Sequence, residues 1–447
     1  MDSILTKGSP IKGIILFSIP LLLGNIFQQI YTLSDTLIVG RVVGVQALAS
    51  VGATNGLTFL IIGFAQGMTT GLSIITAQHF GAGDVKAVKQ SFATSIWICG
   101  VFTLVLTLIS VLAARPLLQL MQTPANIIDG AATFLTIIVG GLIATMFFNL
   151  FSNMLRALGN SRLPLVFLVI ACIINVVLDI ILIVFLHMGV AGAGIATVTA
   201  QLISCFLCWF YIKARVPVLS LELREIKTNM KLVREQIKIG LPMGFQASII
   251  AIGAIILQVS LNHLGSSAIA AYTAAGKVDQ LATQPMMSLG ITMATFTAQN
   301  YGAKHFKRIL QGIRQTLITS VGYSFVVGAL IIFNSRMLVN LFIGNSEQHI
   351  TNLAHEYFVI VSTSYFLLAI LFIIRYTLQG FGKSMAPTMA GVAELISRML
   401  VGIFVVPAFG FWGACTANPL AWLGSNLVLV YSYIQVVRQL KERADEA

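Results

Sequence analysis

The feature that most constrains this chain is a succession of long apolar stretches that carry few charges. In chain order they cover residues 14–39, 47–78, 92–114, 128–155, 164–186, 190–212, 237–262, 266–300, 313–333, 353–378, 386–407 and 411–436. Because a helix needs about 20 apolar residues to cross a bilayer, each stretch is long enough for one crossing. Composition agrees, since 57% of the 447 residues are hydrophobic and 9% are charged. We therefore predict an all-α integral membrane protein with twelve transmembrane helices, numbered 1 to 12.

Lysine and arginine are distributed unevenly between the two sides that this topology defines. Most of the 27 basic residues fall at the termini, in the segment between predicted helices 6 and 7, and in alternate loops. The opposite side has Arg41, Arg115 and Arg336. Because basic loops stay in the cytoplasm, the pattern predicts that both termini are cytoplasmic. Topology and anionic lipid also account for the net charge of +12, so we expect no nucleic-acid partner.

The second half of the chain repeats the first. Pro20 corresponds to Pro242, which lies 222 residues later. AQHFGA at 77–82 likewise corresponds to AQNYGA at 298–303, which lies 221 residues later. A repeat of this length indicates two structural units of equal size, each with its own group of helices.

The repeat predicts two six-helix bundles joined by a charged linker. We place the first bundle at 1–212, the cytoplasmic linker at 213–236, and the second bundle with a cytoplasmic tail at 237–447. Because six is an even number, both bundles enter the membrane from the same side, and the axis that relates them runs along the membrane normal. Two such bundles around a central cavity are typical of secondary transporters.

Three polar stripes in the first half predict a common polar interior. They consist of Gln28, Tyr31 and Asp35 on predicted helix 1, Asn149 and Asn153 on helix 4, and Asn175 and Asp179 on helix 5. A carboxylate in hydrocarbon costs about 2.5 to 3.5 kcal/mol, so each acid is a candidate functional residue. Asp35 and Asp179 lie roughly 8 and 12 Å below the outer ends of their helices, at similar depths. We predict that Gln28, Tyr31, Asn149 and Asn153 contribute to substrate binding.

Taken together, these features resemble the multidrug and toxic compound extrusion (MATE) family. The resemblance covers nearly the whole chain. It rests on the two six-helix lobes, on Pro20 and Pro242, on the AQxxGA ends of predicted helices 2 and 8, and on RALGNSRLP at 156–164. It implies a bacterial inner-membrane transporter in which Pro20 and Pro242 act as hinges of predicted helices 1 and 7.

In MATE proteins of the archaeal and DinF-like type, there is a cation site. It consists of an Asp on helix 1, an Asn and an Asp four residues apart on helix 5, and a Thr on helix 6. The resemblance implies these roles for Asp35, Asn175, Asp179 and Thr197. Two carboxyl groups in a low-dielectric site either share a proton or hold Na⁺ with amide and hydroxyl oxygens. Either event changes the charge of the lobe, and we expect it to change the bend at Pro20. The alternative is that these four residues only hold the helices together.

The second half offers candidates with a different character. Lys277 and Asp279 lie on predicted helix 8, and Glu394 and Arg398 lie four residues apart on helix 11. Mutually paired charges favour a structural role, with substrate or proton binding as the alternative. Arg375, near the inner end of helix 10, is predicted to extend its charge to the membrane surface.

Met286 and Met287 on predicted helix 8 are candidates for a drug cavity. Methionine adapts its shape to different partners, which suits a promiscuous site. The alternative interpretation is that both are ordinary core or lipid-facing residues.

The sequence thus predicts a secondary active multidrug efflux transporter. We expect it to export cationic or amphipathic organic compounds in antiport with H⁺ or Na⁺, to act as a monomer, and to need no cofactor. The alternative within the same superfamily is a flippase for lipid-linked oligosaccharides or lipids. A passive channel is a further alternative. An enzyme is not expected, because the sequence lacks a His, Cys or Asp cluster with ligand spacing.

Overall fold

The protein is helical almost throughout. Its structure, a computed structural model, describes residues 3–221, 229–343 and 348–445, and no strand occurs within these ranges. The predicted linker at 213–236 therefore lies partly outside the described residues. The prediction of an all-α fold is confirmed.

The helices follow one another with short connections. The first seven are α1 (Pro10–Ile38), α2 (Val45–Gly81), α3 (Val85–Leu120), α4 (Ile128–Gly140), α5 (Leu142–Ala157), α6 (Arg162–Asp179) and α7 (Gly189–Arg215). The others are α8 (Met230–Asn262), α9 (Ser266–Gly302), α10 (Phe306–Phe333), α11 (Ser335–Ile343), α12 (Gln348–Ser362), α13 (Tyr365–Gly380), α14 (Met385–Leu400), α15 (Val406–Cys415) and α16 (Ala417–Asp445). Short π-helical segments follow α1 (Val39–Val43), α6 (Ile180–Phe185) and α14 (Val401–Val405).

The predicted number of twelve membrane-spanning helices is not exactly confirmed. In the described ranges, nine helical stretches are long and apolar enough to span a bilayer. Two bent pairs, α4 with α5 at 45° and α12 with α13 at 46°, raise the number to eleven if each pair is one span. Predicted helix 8 does form a helix, the 37-residue α9, but it is not among the eleven. Its many Ala, Gly, Ser and Thr residues, with Lys277 and Asp279, lower its mean hydropathy.

The chain folds into two compact units whose boundaries fall inside helices. Unit 1 comprises Pro20–Ser248, and unit 2 comprises Ile249–Ala447 together with the chain up to Ile19. The first half of α1 thus belongs to unit 2, and the first half of α8 to unit 1. The bundles predicted from the repeat, 1–212 and 237–447, place the first half of α1 with the first bundle and the part of α8 from residue 237 onward with the second.

Within unit 1, α2 and the first half of α8 approach so closely that only glycine fits between them. A Cβ atom on Gly67 would lie 2.4 Å from the carbonyl oxygen of Met243, and one on Gly71 would lie 2.6 Å from the Cα atom of Gly240. Small residues allow such backbone contact between helices in lipid, where van der Waals packing drives association. These glycines therefore hold α8 against α2.

Replacing Gly71 with alanine is expected to lower the thermal stability of the protein, because the added methyl group must push two backbones apart. Overpacking of this kind costs about 1 to 3 kcal/mol. The matched control is Gly52→Ala on the same helix, where a Cβ atom meets nothing within 4 Å. Since alanine favours helix over glycine by about 1 kcal/mol, this control should hold or raise the melting temperature. Equal melting temperatures of both variants in detergent would contradict the packing argument.

Candidate functional site

The centre of the candidate site lies in unit 1, at the end of α6. Asp179 is the last residue of this helix, and Asn175 lies one turn before it. Both side chains are completely buried. A buried carboxylate in a membrane-spanning helix is costly and therefore points to function or to a specific partner.

The partner of Asp179 is a second acid. Asp35 on α1 faces Asp179, and the two carboxyl groups lie within hydrogen-bonding reach of each other. One oxygen of each acid, Oδ1, is buried and meets no hydrogen-bond donor in the part of the chain that the structure describes. Two facing carboxylates in low dielectric repel each other strongly, so the arrangement requires a proton or a cation between them.

Asn175 and Thr197 complete the surroundings of Asp179. With its amide nitrogen turned toward Asp179, Asn175 donates to Oδ2 of that acid (3.0 Å) and accepts from the backbone N–H of Thr197 (3.2 Å). The hydroxyl of Thr197 donates to the backbone carbonyl of Ala193 (3.0 Å), and the hydroxyl of Tyr31 faces Thr197. The structure thus brings together Asp35, Asn175, Asp179 and Thr197 with the predicted substrate residue Tyr31.

Tight packing fixes the position of α7, which carries Thr197. A Cβ atom on Gly141 would lie 2.3 Å from Cγ1 of Val198, and one on Gly194 would lie 3.0 Å from Cγ2 of Ile137. Gly194 lies within one turn of Thr197, and Gly141 contacts its neighbour Val198. These contacts next to the site therefore fix the distance from α7 to the junction of α4 and α5.

Both acids lie beside π-helical segments. Asp179 directly precedes Ile180–Phe185, and Asp35 lies four residues before Val39–Val43. Short π-helical turns inside α-helices occur frequently at functional sites. The segment after Asp179, IILIVF, contains no Gly or Pro, so the sequence carries no signal of this irregularity.

The other polar residues predicted in the first half lie apart from the two acids. Asn153 is buried, donates to the hydroxyls of Thr69 and Thr70 (3.2 Å each), and accepts from Arg156 (3.1 Å). It therefore links α5 to α2. Asn149 donates to a backbone carbonyl of its own helix (2.9 Å), and Gln28 is exposed.

In unit 2, Glu394 holds two arginines in the protein interior. It pairs with Arg375 and with Arg398 (3.4 Å), and the three side chains are 4%, 6% and 9% exposed. Ser425 donates to the same carboxylate (3.1 Å). The predicted pairing of Glu394 with Arg398 is confirmed. The prediction for Arg375 is wrong, because its charge is neutralised inside unit 2 and does not extend to the membrane surface.

Lys277 and Asp279 do not pair with each other, which corrects the prediction of mutual neutralisation. Side chains two residues apart point to different faces of a helix. Lys277 is exposed, whereas Asp279 is partly buried and faces the hydroxyls of Tyr357 and Tyr365.

The predicted hinges and methionines have clear positions. Pro20 and Pro242 lie inside α1 and α8, which continue on both sides of them. Met286 is completely buried and Met287 is partly buried, so Met286 is a core residue of α9 in this conformation.

Metal-ligand clusters are absent from the described residues, since no three His, Cys, Asp or Glu side chains come together there. A cation at Asp35 and Asp179 would therefore need oxygen atoms from amide, hydroxyl or backbone groups as further ligands.

Comparison with known proteins gives consistent matches over nearly the whole chain. A family model described as MatE matches residues 20–181 and 242–404. The probable multidrug resistance protein YoeA of Bacillus subtilis (strain 168) is 28% identical over 451 residues, which cover 98% of this chain and 96% of that protein. A MATE structure in complex with MaL6 has a TM-score of 0.91 at 20% identity, covering 99% and 100% of the two chains. The outward-facing conformation of a multidrug resistance MATE family transporter has a TM-score of 0.89 at 20% identity, covering 98% of each. At these identities the structures show a shared fold.

Proposed function

Because this chain belongs to the MatE (multidrug and toxic compound extrusion) family, we propose that it is a multidrug efflux transporter that exports cationic or amphipathic organic compounds in antiport with H⁺ or Na⁺. The observation that carries the proposal is the pair of facing acids, Asp35 and Asp179, inside unit 1. Such a pair changes its net charge when it binds or releases one cation. A coupling site must do this once in each transport cycle.

The surroundings of the pair favour H⁺ as the coupling ion. In the amide orientation that satisfies both neighbours, Asn175 presents an N–H to Asp179, and its carbonyl oxygen accepts from the backbone N–H of Thr197. A hard cation such as Na⁺ needs several oxygen ligands, whereas a shared proton needs only the two carboxyl oxygens. Two carboxyl groups in contact commonly retain one proton between them.

The coupling of this charge change to transport runs through α1. This helix carries Asp35, and it passes from unit 2 to unit 1 at Pro20. Proline removes one backbone hydrogen bond, which makes bending at that position cheap. In our proposal, neutralising the acid pair removes the repulsion between α1 and α6, and α1 changes its bend at Pro20.

The cellular setting belongs to the same proposal. The similarity to a bacterial protein supports a location in a bacterial inner membrane, and the bias of Lys and Arg supports an orientation with both termini in the cytoplasm. We propose that one chain is the transporting unit, because unit 1 alone supplies all four residues of the coupling site.

Efflux from proteoliposomes tests this function. With a fluorescent organic cation inside, an imposed pH gradient should drive its export against its own gradient, and a protonophore should stop it. A Na⁺ gradient without a pH gradient should drive little export if H⁺ is the coupling ion. Protein-free vesicles are the control. Movement of the cation only down its own gradient, whatever ion gradient is imposed, would identify a passive channel and overturn the proposal.

A further inference from the structure

A cavity of about 280 Å³ lies in unit 2 where the end of α9, the start of α10 and the end of α16 meet. It is lined by Lys304, His305, Phe306, Lys307, Arg308 and Ala444. Neither the acid pair nor the transport proposal involves this cavity, so its composition needs a separate explanation.

Among the residues that the structure describes, the cavity is lined by three basic side chains and by no acidic one. Lys304, Lys307 and Arg308 are permanent cations, and within the described ranges none of them forms an ion pair. The guanidinium of Arg308 donates to three backbone carbonyl groups of the N-terminal segment, those of Leu5 (3.1 Å), Lys7 (2.8 Å) and Gly8. Carbonyl groups fix the arginine in place but do not cancel its charge. The cavity therefore has a rigid cation in one wall and two exposed lysines beside it.

The first repeat has the same turn with only one of the three cavity charges, since Lys86 corresponds to Lys307 and Ala87 to Arg308. Its residues Gly83 and Asp84 correspond to Lys304 and His305. Asp84 accepts from the backbone N–H of Ala87 (2.9 Å), so its carboxylate caps the N-terminus of α3. In the second repeat, no side chain caps the start of α10. The first repeat thus has an anion at this place, whereas the second repeat lacks that anion and has two additional basic residues.

The position of the cavity indicates the kind of anion. The cavity lies at the start of α10, a helix long and apolar enough to span a bilayer, whose apolar stretch begins at residue 313. At about 1.5 Å per residue this places the cavity roughly 10 Å before that stretch, on the side where lipid headgroups are expected. Arg443 donates to the hydroxyl of Tyr301 (3.1 Å) and stacks over the rings of Tyr301 and Phe306, which stiffens the neighbouring wall. Basic residues at this depth attract the anionic phospholipids of the membrane.

We propose that this cavity binds the phosphate group of an anionic phospholipid from the adjoining leaflet. Lys304 and Lys307 contact the phosphate, and Arg308 contributes its charge while it holds the N-terminal segment. Because that segment leads into α1, a bound lipid also braces the start of the helix that carries Asp35. The phosphate chemistry is shared with free inorganic phosphate, and the depth of the cavity favours the lipid.

The test is lipid binding to the purified full-length protein in detergent, measured by native mass spectrometry and by melting temperature. Short-chain phosphatidylglycerol should bind the wild type about 25-fold more tightly than phosphatidylcholine, since each of the two contacting lysines contributes on the order of fivefold in affinity. The double variant Lys304→Gly with His305→Asp copies the turn of the first repeat. It should lose the preference for phosphatidylglycerol.

Matched variants separate a specific site from general attraction. Lys86→Asp in unit 1 changes the net charge by the same amount as the double variant, at an exposed lysine of the corresponding turn. It should keep the preference. If the double variant fails to fold, Lys307→Gln serves in its place and should weaken phosphatidylglycerol binding about fivefold.

Two results would overturn the proposal. If Lys86→Asp and the double variant lost the same affinity for phosphatidylglycerol, the binding would be unspecific attraction to a basic protein. The second contrary result is that inorganic phosphate raises the melting temperature as much as phosphatidylglycerol does, and that the double variant abolishes this rise. That result would assign the cavity to a free anion and not to a lipid.

Discussion

Asp179→Asn is expected to reduce proton-driven efflux to the level of protein-free vesicles. The amide has nearly the shape of the protonated acid but neither binds nor releases a proton, so the pair with Asp35 can no longer change its charge during the cycle. The same variant should melt at an equal or higher temperature, because it removes the repulsion between the buried carboxylate of Asp179 and the partly buried one of Asp35. Efflux from proteoliposomes and melting in detergent are measured on the same preparation. The two readouts move in opposite directions only if the acid is functional.

Asp129→Asn is the matched control for this prediction. Asp129 is an exposed acid of unit 1 that pairs with exposed Arg115 (3.0 Å), and surface pairs contribute about 0 to 1 kcal/mol. Its replacement should change neither efflux nor melting. Asp35→Asn should behave like Asp179→Asn. If Asp179→Asn lowered the melting temperature and left efflux intact, the acids would only hold helices together, and the proposed coupling site would be wrong.

Glu394→Gln is expected to destabilise unit 2 severely. Glu394 is the carboxylate that faces both Arg375 and Arg398, and all three side chains are buried. Removing one partner from a buried ion-pair group leaves an uncompensated charge and costs about 3 to 5 kcal/mol. Here two cations lose their partner at once. Thermal unfolding of the purified variant should show a fall of the melting temperature, and the yield of folded protein should decrease.

The control for Glu394→Gln is Glu442→Gln, an exposed acid on α16, which should melt like the wild type. Adding Arg398→Gln to Glu394→Gln removes one of the stranded cations and should recover part of the lost stability. A melting temperature of Glu394→Gln close to that of the wild type would mean that water or lipid compensates the arginines, contrary to their burial.

These two predictions describe opposite uses of charge in one protein. In unit 2, Glu394 is satisfied by two arginines and a serine, so its charge state has little reason to change. In the part of unit 1 that the structure describes, Asp35 and Asp179 face each other and one amide and form no ion pair, so we propose that their charge depends on a cation from outside. The contrast supports our assignment of coupling to unit 1 and of a structural role to Glu394 and its arginines.

Much of the architecture could be predicted from sequence, because lipid imposes a local rule. Each backbone group in hydrocarbon must be bonded within its own helix, so an apolar stretch of membrane length has one available conformation. The repeat of Pro20 at Pro242 and the AQxxGA ends located the two halves. The rarity of acids in such stretches singled out Asp35 and Asp179. The predicted twelve spans are not exactly confirmed, because α9 is a helix without the apolarity of the other spans.

The sequence by itself determined which segments are helices, where they repeat, and which residues are too costly to bury without a reason. Only the tertiary structure decided that Asp35 faces Asp179, that Arg375 turns inward to Glu394, and that α1 changes units at Pro20. The physical reason is that a helix follows from contacts between near neighbours in the chain. Whether side chains on two helices meet depends on the rotation and tilt of those helices. These are set by close contacts between residues far apart in the sequence, such as Gly71 against Gly240.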